Sequence, residues 1–72
     1  MNLKKLDLHG LKHHEVAIKV ENFVLLNQQS LPLEIVCGKS QKMIEIVINV
    51  LDEIDCENYI IKDFGTIIVR KI

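Results

Sequence analysis

Asp7 and His9 stand two positions apart in Leu6-Asp7-Leu8-His9-Gly10, where a short alternation of apolar and polar residues ends. In an extended strand successive side chains point to opposite faces, so the carboxylate and the imidazole share one face, and Leu6 and Leu8 share the other, buried one. Gly10 then lets the backbone turn into a helix-like pattern. A carboxylate beside an imidazole at a strand end suits proton transfer, anion binding or metal binding. A strand that simply ends in polar residues looks the same. A second group with chemical potential is Cys37-Gly38-Lys39-Ser40. Gly38 permits close backbone approach and Lys39 supplies charge. The Ser40 hydroxyl either bonds a phosphate oxygen or caps the helix that follows. The G-x-x-x-x-G-K-[ST] spacing of a nucleotide P-loop is absent. A metal site at His9, His13 and His14 is disfavoured, because a turn separates the first from the others and adjacent histidines point apart on a helix.

The elements that would position these groups can be read from periodicity. Leu3–His9 reads as a strand. Lys12 to about Gln29 reads as a helix with Val16, Val20, Phe23, Val24 and Asn27 on one face, widened by Ala17 and Ile18. Asn27 to Ser30 and Pro32 punctuate it. Leu33–Cys37 reads as a second strand. Ser40 to Ile54 reads as a second helix with Met43, Val47, Val50, Leu51 and Ile54 inward and Ile44, Ile46 and Ile48 beyond that stripe. Asn58–Lys62 and Thr66–Lys71 read as two β-branched strands joined through Asp63-Phe64-Gly65, a hairpin.

The expected order is β-α-β-α-β-β: an α/β two-layer sandwich with a four-stranded mixed sheet and both helices on one face. Strands one and two should be parallel. Their carboxyl ends and both helix amino ends then meet at one edge, with Asp7, His9, Lys12, His13, His14, Gly38, Lys39, Ser40 and Lys42. The acidic cluster Asp52, Glu53, Asp55 and Glu57 falls at the opposite edge. Helix amino ends carry unpaired N–H groups and about half a positive charge, so the first edge favours an anion, with phosphate the expected guest.

Composition narrows the class. The chain has 72 residues, 49% of them hydrophobic, 26% charged, with a formal net charge of −1. That is one domain, residues 1–72, and no disordered tail, and overall charge says little about partners because the charges are unevenly placed. No apolar run reaches the ~18 residues of a membrane span, and the residues after Met1 lack an apolar signal region, so a cytoplasmic location is expected. Cys37 and Cys56 suggest neither a disulfide framework nor a zinc site and are expected to be reduced and mostly buried.

These residues and their order resemble the small MutS-related (Smr) domain. The resemblance rests on Leu6-Asp7-Leu8-His9-Gly10-Leu11, on Glu15 a few residues into the first helix, and on the Gly38-Lys39 turn after strand two, and it covers nearly the whole chain. It implies endonuclease activity on DNA or RNA. Asp7 and His9 match the catalytic Leu-Asp-x-His motif, and Gly38 and Lys39 match the middle of the Thr-Gly-x-Gly motif. The chain departs from the pattern at several points. Cys37 replaces the threonine and Ser40 the second glycine. The family's glycine-rich, histidine-containing loop is missing, the glycine pair of the late hairpin is reduced to Gly65, and Lys12 stands where a threonine caps the first helix.

The expected function is therefore Smr-like cleavage or nicking of nucleic-acid phosphodiesters, with RNA slightly favoured over DNA because a 2′-hydroxyl can itself attack. Asp7 and His9 are the catalytic residues, and Gly38, Lys39, Ser40, Lys12 and Lys42 contact nucleic acid or phosphate. No cofactor is required by the sequence, and a divalent metal is compatible with it. The alternative is a catalytically inactive nucleic-acid-binding or protein-interaction module of the same fold. Expected partners are RNA or DNA, not membrane, with a homodimer or larger complex through the apolar flank of helix two also in view.

Overall fold

The computed structural model describes residues 3–72. It contains β1 (Lys4–Asp7), α1 (His13–Leu26), a 3-10 turn (Gln28–Ser30), β2 (Leu33–Val36), α2 (Gln41–Glu53), β3 (Asn58–Asp63) and β4 (Thr66–Lys71). The strands form one mixed sheet in the order β1-β2-β4-β3. β1 and β2 are parallel, with Leu6 opposite Ile35 and Asp7 opposite Val36. β4 runs antiparallel to both β2 and β3. The expected two-layer architecture is therefore present.

The core lies between the helices and one sheet face. Val16, Val20 and Val24 of α1 recur at the four-residue helical spacing and are buried with Met43, Ile44, Val47, Val50 and Leu51 of α2. They pack with Leu8, Leu33, Ile35, Ile67 and Val69 from the sheet side. Because β2 alternates, Leu33 and Ile35 face the helices, while Glu34 and Val36 share the other face with Asp7. Ile68 is buried but lies outside the main core cluster. Its partners across the ladders are Glu34 and Ile60.

Local chemistry sets the element ends. The Ser40 hydroxyl accepts from the Met43 backbone N–H at 3.2 Å and caps α2. At the other end of α2, Cys56 N–H donates to Leu51 carbonyl at 2.9 Å and Asp55 N–H to Asp52 carbonyl at 3.2 Å. This is a Schellman closure, with Asp55 at φ 58° taking the left-handed position usually held by glycine. Strand β1 is shorter than the expected Leu3–His9. The Asp7 carboxylate accepts from the His9 backbone N–H at 2.9 Å and draws the chain out of the ladder. Helix α1 stops at Leu26 rather than Gln29, as the Asn27 amide donates to the Phe23 carbonyl at 2.7 Å. Two isoleucines also differ from their expected places. Ile18 is 63% exposed instead of widening the core face, and Ile44 is buried rather than lying beyond the inward stripe. Ile46 and Ile48 are half-buried against the core, so the flank of α2 offers less free apolar surface than its sequence suggests.

Candidate phosphate-binding edge

The parallel pairing of β1 and β2 brings two strand-to-helix junctions side by side. At the first, Leu8 is fully buried and its N–H donates to the Val36 carbonyl at 3.0 Å, which anchors the end of β1 against β2. Asp7 and His9 flank that anchor, and both are exposed. The chain then turns through Gly10, at φ 84°, with Leu11 N–H donating to the Leu8 carbonyl at 3.1 Å. Asp7 does not hydrogen-bond the imidazole. Its Oδ1 holds the His9 main chain, fixing where the imidazole starts, and its other oxygen is left for solvent or a ligand.

Lys12 occupies the N-cap of α1. Its side chain has no acceptor for the orphan N–H groups. Closure comes instead from Glu15, whose Oε1 accepts from the Lys12 backbone N–H at 3.0 Å. His13 and His14 follow in the first turn, both exposed.

At the second junction Gly38 adopts φ 74° and Ser40 N–H donates to the Gly38 carbonyl at 2.9 Å, folding the loop tightly onto the start of α2. Lys39 and Lys42 are exposed and Ser40 is half-buried. Ser40 is thus a helix cap through its oxygen, while its hydroxyl proton is still a donor. Cys37 is buried, and burial pushes its thiol up to about 11, so at neutral pH it is an inert thiol rather than a nucleophile.

All seven residues expected in the site, Asp7, His9, Lys12, Gly38, Lys39, Ser40 and Lys42, therefore come from the same two junctions at one edge of the sheet. Among the described residues, the side chains of Lys12, Lys39, Lys42, His9, His13 and His14 make no hydrogen bond or ion pair with protein. Also among these residues, no three His, Cys, Asp or Glu side chains are grouped to hold a metal ion. Two concavities lie elsewhere: about 460 Å³ beside Lys4 and Leu25–Ser30, and about 210 Å³ between the helices at Ile18, Glu21, Val50 and Glu53.

A third segment joins the edge that motif reading did not include. Because β4 pairs with β2, with Thr66 opposite Val36, the β3–β4 hairpin tip reaches the carboxyl end of β2. There Cys37 N–H donates to the Gly65 carbonyl at 2.6 Å. The hairpin was legible in sequence. Its contact with the Gly38 loop depends on strand order, which local sequence does not encode. Comparison with protein-family models, curated proteins and solved structures yields no match to this chain.

Proposed function

We propose that the chain is an Smr-like endonuclease that cleaves nucleic-acid phosphodiesters at the Asp7/His9 edge, with RNA favoured over DNA, acting in the cytoplasm. The observation that carries this reading is the convergence of two strand-to-helix junctions, which sets an exposed carboxylate and imidazole beside unpaired lysines. Phosphodiester cleavage needs a proton acceptor for the nucleophile, a proton donor for the leaving oxygen, and positive charge around the phosphate. His9 serves as the acid/base, since an imidazole carries one nitrogen that accepts a proton and one that donates. With RNA, the 2′-oxygen attacks phosphorus as its proton passes to the His9 imidazole, and the P–O5′ bond breaks to leave a 2′,3′-cyclic phosphate and a 5′-oxygen that takes up a proton. Asp7 fixes the His9 backbone and contributes negative charge next to the imidazole. Lys39, Lys12 and Lys42 offset phosphate charge, helped by the first-turn N–H groups that α2 leaves unpaired.

A second reading has specific support. Asp7 Oδ1 and Ser40 Oγ both make local backbone hydrogen bonds that a purely structural role explains. That favours an inactive binding or interaction module of the same fold, with self-association or a larger complex as its context. The deciding experiment compares wild type with His9→Ala on single-stranded RNA, structured RNA and nicked or branched DNA, with and without divalent metal. Cleavage by wild type and its loss in His9→Ala support the endonuclease. Equal binding with no cleavage by either protein replaces it with the module.

A further inference from the structure

Phe64 is 58% exposed at the tip of the β3–β4 hairpin. The other aromatic residues, Phe23 and Tyr59, are half-buried against the core. Burying a phenylalanine ring is worth roughly 1.5–3 kcal/mol, and at this position most of that is forgone. Turn chemistry does not ask for the ring either. Gly65, at φ 106°, supplies the left-handed step of the turn, and the residue before it is more commonly small or polar.

The tip is also held firmly. The Gly65 carbonyl accepts from Cys37 N–H at 2.6 Å, and Gly65 itself is buried. A Cβ on Gly65 would lie 2.5 Å from the Gly38 carbonyl oxygen, so the two loops touch backbone to backbone. The ring therefore projects from a fixed mount beside Gly38 and Lys39. Strand spacing puts β3 about 14 Å across the sheet from β1, so Phe64 is some 10–15 Å from the Asp7/His9 strand end.

From this placement we propose that Phe64 is a stacking platform for an unpaired base flanking the phosphate bound at the Asp7/His9 edge. The inference rests on the nucleic-acid reading above and specifies its substrate as single-stranded or locally unpaired. Lysines on the same edge track the backbone while the ring takes a base face, the combination by which proteins hold single strands without a groove. A base inside a duplex has both faces occupied and gains nothing from the ring.

The test uses the full chain and two labelled RNA probes of equal length, one single-stranded and one fully duplex. Phe64→Ala should weaken single-strand binding about five- to a hundred-fold, the range of one lost stacking contact, and leave duplex binding and the melting temperature unchanged. Because the chain has no tryptophan, Phe64→Trp is a unique reporter, and its emission should be quenched as the single strand is titrated while affinity is retained. If Phe64→Ala binds the single strand as wild type does, while Lys39→Glu weakens binding, the stacking role is overturned and the nucleic-acid reading stands. If wild type binds neither probe, both fall together.

Discussion

The two edges of the sheet treat their lysines differently. At the edge away from the candidate site, two lysines reach side chains elsewhere in the chain. Lys71 pairs with Glu57 at 3.1 Å, Lys4 donates to Asn27 at 3.2 Å, and Gln28 donates to the Leu25 carbonyl at 3.1 Å. At the Asp7/His9 edge the hydrogen-bonding side chains Asp7, Glu15 and Ser40 all turn back onto their own backbone. They shape the junctions, while the cations and imidazoles beside them are unengaged among the described residues. Positive-φ glycines follow the same asymmetry: Gly10, Gly38 and Gly65 all lie at this edge, whereas the reversal after α2 uses Asp55. One edge joins Lys4 and Lys71 to partners, and the other leaves Lys12, Lys39 and Lys42 unpaired among the described residues.

The comparison is broken most sharply at Asp7. Asparagine retains an oxygen for the His9 N–H but loses the charge, so Asp7→Asn should lower the cleavage rate by roughly 10²–10³-fold with an unchanged melting temperature. Asp7→Ala should lower both. A loss of stability without loss of rate in either variant would assign Asp7 to the turn alone.

Gly65→Ala comes next in size. The added methyl meets the Gly38 carbonyl at 2.5 Å on a backbone with φ 106°. It should cost about 2–3 kcal/mol in urea unfolding. A variant as stable as wild type would mean that the hairpin tip is not pinned to the Gly38 loop.

Charge reversal sharpens the contrast between edges more gently. Lys39→Glu should weaken RNA binding roughly tenfold and flatten its salt dependence by about one phosphate contact. Lys71→Glu should do less, because it alters the already paired edge, where it meets Glu57. Equal effects in binding titrations would place the nucleic acid elsewhere.

The smallest effect separates the two roles of Ser40. Ser40→Ala should cost about 1 kcal/mol in thermal unfolding through the lost cap. Ser40→Asp keeps the cap oxygen, so stability should hold while added negative charge weakens RNA binding. If Ser40→Asp binds as wild type does, Ser40 is a cap and not a phosphate contact.

Much of this architecture is legible in local sequence because it depends on period and parity. The valines at positions 16, 20 and 24 announce the inner face of α1, and the alternation around the buried Leu8 predicts that Asp7 and His9 are exposed, as they are, although His9 lies in the turn beyond β1. Ser40 announces the start of α2 through cap chemistry that acts within one turn. Ile18 and Ile44 misled the pattern reading for one reason. An apolar residue at the border of a helical stripe is buried or exposed according to what the neighbouring element covers, and that is not a local property.

By itself, then, the sequence determined the elements, the faces of most of their residues and the exposure of a carboxylate and an imidazole at the first junction. Each follows from interactions within a few residues. Tertiary structure alone decided that β4 inserts between β2 and β3, and so that the Phe64-Gly65 tip lies against Gly38. Strand order is set by competition among long-range pairings for one hydrophobic face, and no short segment carries that information.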